Sequence, residues 1–466
     1  MTATHSRTLF NDLAALLTGQ LVLPEDATYE QVRQLWNGKI ETRPTAIVRC
    51  STVQDVIHTV RWTRAHRLPL SIRGAGHEIF GRSLRENGVV VDLSQMRAVT
   101  IDPVTCTARI QPGVTAGDLI EAAEKYGLAT TTGTISSVGM TGLTLGGGYG
   151  PLTGAYGLAA DNLLSAQVVT ADGQLVTASA EEHPDLLWGL RGGGGNFGVI
   201  VSLEYRLHPL TTVLSGLLLY PLEQAKTVLR NFNEFIATAP DELTIRSGFL
   251  QTPDGVTALF LSPTYCGAIE AGEQASTYPC SEAIAPLRTF GTLLVDQMQP
   301  ITYNDLIHGL DAFTPAGRHY YIQTQSLDGL QTEAIEALIE QGLPLPSPFS
   351  MINIHHFHGA ASRVGVSETA FALRQDHLMV ELTAAWEPQF PDDEQRHLQW
   401  AQHISQALAP YAFKGGYINL LDEQEQERIR FAFGSNYERL LDIKRTYDPD
   451  DVFHSTIGHL APNKKS

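Results

Sequence analysis

Three glycine clusters between residues 73 and 198 constrain this chain more than any other feature. They read "RGAGH" at 73–77, "GTISSVGMTGLTLGGGYG" at 133–150 and "RGGGGNFG" at 191–198, and the middle one holds seven glycines in eighteen positions. Glycine loses more conformational freedom on ordering than any other residue. One such loop is a turn, but three in so short a span predict backbone that closely approaches a common object. The strand-like "PLSIR" delivers the chain to Gly74, so His77 stands on a loop just past a strand, where α/β sheets tend to bind ligands. Taken alone, His77 has three readings: a surface turn, a metal ligand or a cofactor anchor. Residues 193–198 match GxGxxG, but the dinucleotide motif needs a helix next and "VIVSLEYRL" is β-rich. The three loops together predict a large flat or polyanionic ligand wrapped by backbone N–H groups.

The surrounding pattern alternates strands and helices. "AIVRC", "GVVVDLSQM" and "TARIQPGVT" read as strands. Residues 51–66 read as a helix carrying Val53, Val56, Ile57, Val60 and Trp62, capped by Ser51 or Thr52. "LLSAQVVTADGQLVTAS" is a hairpin turned at Ala-Asp-Gly. After about residue 210 the glycine loops stop, and strands such as "GLLLYPL" and "MVELTAAW" alternate with helices such as "EQAKTVLRNFNEFIATA". This predicts an antiparallel sheet with helices on one face, an α+β arrangement. The expected division is 1–210, 211–410 and a C-terminal segment 411–466.

Composition narrows the function. At 466 residues the chain exceeds one ordinary core. Fifty acids against 32 bases leave a net charge of −18, which repels nucleic acid and anionic membranes and points to a neutral or cationic small-molecule substrate. No apolar run approaches the roughly 20 residues of a membrane span. Residues 1–24 have no signal-peptide core, and the four cysteines show no CxxC spacing, so reduced thiols in a cytoplasmic protein are expected. In "HHFHG", His356 and His358 fall on one face of a strand and His355 on the other, with no carboxylate nearby. No metal site is expected there, and pocket lining or packing is the reading. There is no GxSxG and no phosphate-binding GxxxxGK[ST].

"RGAGHEIFGRSL", "GTISSVGMTGLTLGGGYGPLTGAYGLAADNLLSAQVVTADG", "DLLWGLRGGGGNFGVIVSLEYRL" and "NYERLLDIKRTYDPDDVF" together resemble the berberine-bridge-enzyme-like branch of the vanillyl-alcohol-oxidase flavoproteins, in that family's order and spacing. The resemblance implies a two-part PCMH-type FAD-binding domain closed by the C-terminal segment, plus a substrate domain. It implies FAD attached through its 8α-methyl to His77. The cofactor-binding residues it implies are Arg73, Gly74, Ala75, Gly76, His77, Gly81, Arg82 and Ser83 in the first loop. In the second they are Gly133, Thr134, Val138, Gly139, Gly142, Leu145, Gly146 and Gly147. Asp161, Asn196, Gly198, Val199, Tyr417 and Asn419 complete the set. Relatives with a second flavin bond carry a cysteine where this chain has Ile135, so a single bond is expected. Val138 stands where oxygen-reactive relatives have a small residue, which favours an oxidase using O2. The family's usual C-terminal motif has asparagines where Ser455 and Thr456 stand, and relatives that oxidise alcohols often have a second tyrosine where Leu420 stands. The implied activity is hydride transfer from an alcohol, phenol or amine, natural-product intermediates included, with Tyr417 as first candidate base and His356 as second. The competing readings are a cyclase or lyase using FAD as a scaffold and a dehydrogenase with another acceptor. A monomer or homodimer is expected.

Overall fold

The computed structural model describes residues 8–267, 280–387, 394–454 and 456–460; Ser455 lies outside them. Near the N-terminus, strands Ala46–Arg49, Val89–Asp92 and Leu70–Arg73 pair in parallel, in that spatial order, with Gln20–Val22 antiparallel at the edge. All four residues of Val89–Asp92 are buried, as parallel strands covered on both faces should be. Helix Val53–Ala65 makes the crossover between two of these strands. Its N-terminus is closed by a capping box: the Asp55 N–H donates to Thr52 Oγ1 at 3.1 Å and the Thr52 N–H to Asp55 Oδ2 at 3.0 Å.

A five-stranded antiparallel sheet follows, ordered Val99–Asp102, Thr107–Ile110, Val199–Arg206, Leu163–Val169, Leu175–Ala178. The C-terminal helix Tyr437–Tyr447 returns to it. Leu440, Leu441 and Ile443 join Leu186, Leu187 and Trp188 of helix Pro184–Leu190 in one core with Ile200, Leu203 and Tyr205 of the sheet. The last segment of the chain therefore closes the first unit, far from its sequence neighbours.

Residues 213–386 build a sheet of nine strands among the described residues, every pairing antiparallel. The two-residue period of a strand sorts its side chains. Leu378, Val380, Leu382 and Ala384 of His377–Trp386, and Ile352 and Ile354 of Met351–Phe357, meet helices Ala225–Ile236, Thr332–Gly342 and Glu394–Leu408 in a shared core. Each such buried aliphatic side chain contributes about 1.5–3 kcal/mol. The alternate residues Asn353, His355, Glu381 and Thr383 point the other way, into a cavity. The architecture is the expected α+β arrangement, an antiparallel sheet with helices on one face. No helix among the described residues is long and apolar enough to cross a membrane.

Candidate active site

A cavity of about 860 Å³ separates the glycine loops from the helix-free face of the nine-stranded sheet. The first loop brings Gly74, Ala75, Gly76, His77, Arg82 and Ser83 to it, and the second brings Gly133, Thr134, Val138, Gly139, Gly142 and Leu145. Gly198 lines it, as do Tyr417, Asn419 and Thr456 from the C-terminal segment. Residues far apart in sequence thus meet on one wall. Gly76 sits at φ +80°, a region that only glycine enters freely. A Cβ on Gly142 would find nothing closer than 3.9 Å, so its backbone faces the open cavity.

His77 is held by stacking. Its ring lies 4.1 Å from Trp36, whose other face lies 3.9 Å from Tyr320 of the sheet, and Trp36 Nε1 donates to Thr314 O at 3.0 Å. Burial pulls the imidazole down to about 4, and a backbone hydrogen bond offsets this only in part. At neutral pH the ring is uncharged, and its buried Nε2 has no hydrogen-bond partner among the described residues. Trp36 gave no sequence signal, because its place in the stack depends on two segments remote from it.

Seven expected residues stand behind the wall and hold it. Arg73 donates from Nε to Asp92 at 3.1 Å in a buried ion pair. Asp161 accepts from Arg374 at 2.7 and 2.8 Å. Asn196 donates to Gly193 O and Gly458 O at 2.8 and 2.9 Å, tying the third glycine loop to the chain end. Val199 is buried in the core of the N-terminal sheet. Gly81, Gly146 and Gly147 permit close packing: an added Cβ would lie 2.9 Å from Ile40, 2.2 Å from Asn419 and 2.7 Å from Phe371.

Tyr417 Oη accepts from Asn419 Nδ2 at 2.6 Å and from the Gly148 N–H at 3.2 Å. Burial outweighs these two donors and pushes the phenol up to about 12. Tyr417 therefore keeps its proton at neutral pH, and its surroundings do not supply the lowering that a tyrosine base needs. His356 lines not this cavity but an adjoining one of about 760 Å³, which shares Tyr149, Arg246 and His355 with it. It stacks on His358 at 3.8 Å, and burial, with the charges of His358 and His377, holds its pKa well below the usual range. Its neighbour His355 is the histidine that faces the cavity, edge-on to Tyr149 at 5.2 Å.

The sheet face carries what the sequence did not single out. Glu381 Oε1 accepts from Thr383 Oγ1 at 2.7 Å and from Asn353 Nδ2 at 3.4 Å, and Oε2 lies 3.5 Å from His355 Nε2. Burial alone would raise this carboxyl. The neighbouring His355 ring, the hydrogen bond from Thr383 and the charge of Arg246 more than offset it and hold Glu381 below its ordinary value. It is an ionised carboxylate on the cavity wall. A lone acid in the apolar run "MVELTAAW" was the available signal.

The site fits FAD. Backbone N–H groups of glycine loops provide close approach, and His77 Nε2, Ser83 Oγ and Asn419 Oδ1, all buried without partners among the described residues, line the same wall. Comparison with known proteins agrees. The FAD binding domain profile matches residues 44–179 and the berberine and berberine like profile matches residues 416–458. An uncharacterized FAD-linked oxidoreductase of Bacillus subtilis is 29% identical over 451 residues, covering 94% of this chain and 96% of its own. The (R)-6-hydroxynicotine oxidase of Paenarthrobacter nicotinovorans is 28% identical over 450 residues, covering 94% and 95%. The crystal structure of 6-hydroxy-D-nicotine oxidase from Arthrobacter nicotinovorans superposes with a TM-score of 0.84 at 26% identity, covering 96% of this chain and 98% of the other. Berberine bridge enzyme from Eschscholzia californica shares the fold, with a TM-score of 0.85 at 22% identity over 97% and 99% of the chains. The chain thus carries the FAD binding domain and the berberine and berberine like domain, and over nearly its whole length it is similar to FAD-linked oxidoreductases.

Proposed function

We propose that the protein is an oxidase that takes hydride from a carbon of a small alcohol, phenol or amine and passes the electrons to O2. The observation that carries this reading is one cavity with the His77 loop on one wall and the ionised Glu381 on the other. The chemistry FAD supplies when bound is two-electron: its N5 accepts the hydride, and O2 then leaves as hydrogen peroxide. Glu381 is placed to accept the substrate proton, with His355 and Thr383 fixing its carboxylate. A positioned base contributes about 10² to 10⁴ in rate. Tyr417, which keeps its proton, orients the substrate as a hydroxyl donor; its base role is the weaker assignment.

Attachment of FAD at His77 is part of the proposal. The uncharged imidazole retains a lone pair, and the Trp36 stack fixes the ring plane. Ile135 lines the cavity where a second, cysteinyl bond would form, which supports a single link. Val138, also on the wall, supports access for O2. The test is a panel of alcohols, phenols and amines, with hydrogen peroxide and flavin absorbance followed together. Peroxide with transient flavin bleaching supports the oxidase. Lasting bleaching without peroxide supports a dehydrogenase, and consumption of substrate without bleaching supports non-redox use.

A further inference from the structure

We propose that the substrate carries an acidic oxygen group, a carboxylate or an ionised phenol, and that Arg246 binds it. The assignment rests on the oxidase reading, because it concerns the ligand of that cavity. Arg246 lies in the middle of strand Leu243–Gln251, paired with His355 on one side and Ser262 on the other. Alternation turns Ile245 to the helices and Arg246 into the cavity. Its guanidinium lies 5.4 Å from the Phe260 ring, and its side chain has no hydrogen-bond or ion-pair partner among the described residues.

The other arginines of the wall are engaged. Arg82 donates to Glu78 at 3.1 Å and to Leu421 O at 3.2 Å, and Arg318 pairs with Glu387 at 3.1 Å. Among the described residues, Glu381 is the carboxylate whose charge acts on Arg246, and its Oε1 is already engaged by Thr383 and Asn353 while Oε2 lies 3.5 Å from His355 Nε2. Five N–H donors in a fixed fork thus face the cavity, unspent among the described residues. Withdrawing a charge from water without hydrogen bonds is costly. A planar anion fills such a fork with two parallel bonds, the arrangement for which arginine surpasses lysine. At the cavity this local charge outweighs the protein's net charge of −18, which by itself points to a neutral or cationic substrate. Glu381 then holds the other end of the substrate, the hydroxyl or amine that loses its proton, so the two charges fix the direction in which the molecule lies.

The test is titration of the oxidised holoprotein with probe pairs, read from the flavin visible difference spectrum. The pairs are benzoate against benzamide, 2-naphthoate against 2-naphthamide, and 4-nitrophenol above and below its ionisation. At least one acid should bind tenfold or more tighter than its neutral partner. Which of the acids does so distinguishes a carboxylate from a phenolate site. Arg246→Met, which keeps the apolar stem, should erase that preference while amide binding and FAD content hold, and Arg246→Lys should restore part of it. A purely structural Arg246 would lower stability and leave the acid-to-amide ratio unchanged. Equal binding of acids and amides by the wild type, no saturable change with any acid, or an unchanged ratio in Arg246→Met would each overturn the assignment. Reduction with dithionite and exposure to O2 on the same sample reports the redox reading separately, since it uses no probe.

Discussion

Lys444→Met offers the most quantitative test of how the chain end supports the cofactor site. Lys444 and Asp448 are both fully buried. Lys444 Nζ donates to Asp448 Oδ2 at 2.6 Å, Asn196 O at 3.1 Å and Phe453 O at 3.2 Å, and lies 2.9 Å from Asp451 Oδ1. Methionine matches the stem but strands a buried carboxylate and two carbonyls. Breaking one side of a buried pair costs about 3–5 kcal/mol, a large share of the 5–15 kcal/mol that holds a typical protein folded. The Asn196 carbonyl belongs to the third glycine loop, so FAD content should fall with stability. The assay is urea unfolding of holoprotein, followed by tryptophan and flavin fluorescence. The double variant Lys444→Met/Asp448→Asn should recover part of the loss, because no fully buried charge is left unpaired and Asp451, which is partly exposed, keeps His459 at 3.0 Å. Recovery stays incomplete, since Asp448 also accepts from the Val452 and Phe453 N–H groups at 2.8 and 2.9 Å. A single variant within about 1 kcal/mol of wild type, or a double variant no better than the single, would refute the argument.

Other expectations are simpler to check. Wild-type flavin should stay with the chain after acid precipitation and add one FAD to the intact mass, whereas His77→Ala should release it; a digest should place the flavin on the His77 peptide and on no cysteine. Glu381→Gln should slow anaerobic flavin reduction by about 10² or more, and Tyr417→Phe by less, with reoxidation unchanged in both. The opposite ranking would return the base role to Tyr417. Although burial opposes it, hydrogen bonds from His459 and Lys444 hold Asp451 down to about 2 in the folded state, against roughly 3.9 unfolded. Its contribution, about 2 kcal/mol, is therefore complete above pH ~4 and is lost as pH falls towards 2. The stability gap between wild type and Asp451→Asn should close over that window, and a gap constant across it would contradict the assignment.

Much of the fold was legible because its signals are local. The Thr52 cap, the hairpin at Ala-Asp-Gly and the change of pattern near residue 210 each occupy a few neighbouring residues. The wall of glycine loops was legible for the same reason, since close backbone approach leaves glycine behind. The sheet face was not. Alternation separates His355 from His356, as the strand shows, but which of them meets the cavity depends on where the helices pack. Arg246, His355 and Glu381 come from three strands and meet only through cross-strand register. Tyr417 was visible as a residue, but its protonation is set by burial, which short-range sequence does not report.

Reaction of the bound FAD with O2, on which the oxidase proposal turns, can be measured without knowing the substrate. The holoprotein is reduced anaerobically with dithionite, freed of excess reductant and mixed with oxygenated buffer, while flavin absorbance and hydrogen peroxide are recorded. Reoxidation should be much faster than that of free reduced FAD in the same buffer, with one peroxide per flavin. Reoxidation no faster than free flavin would contradict the oxidase proposal.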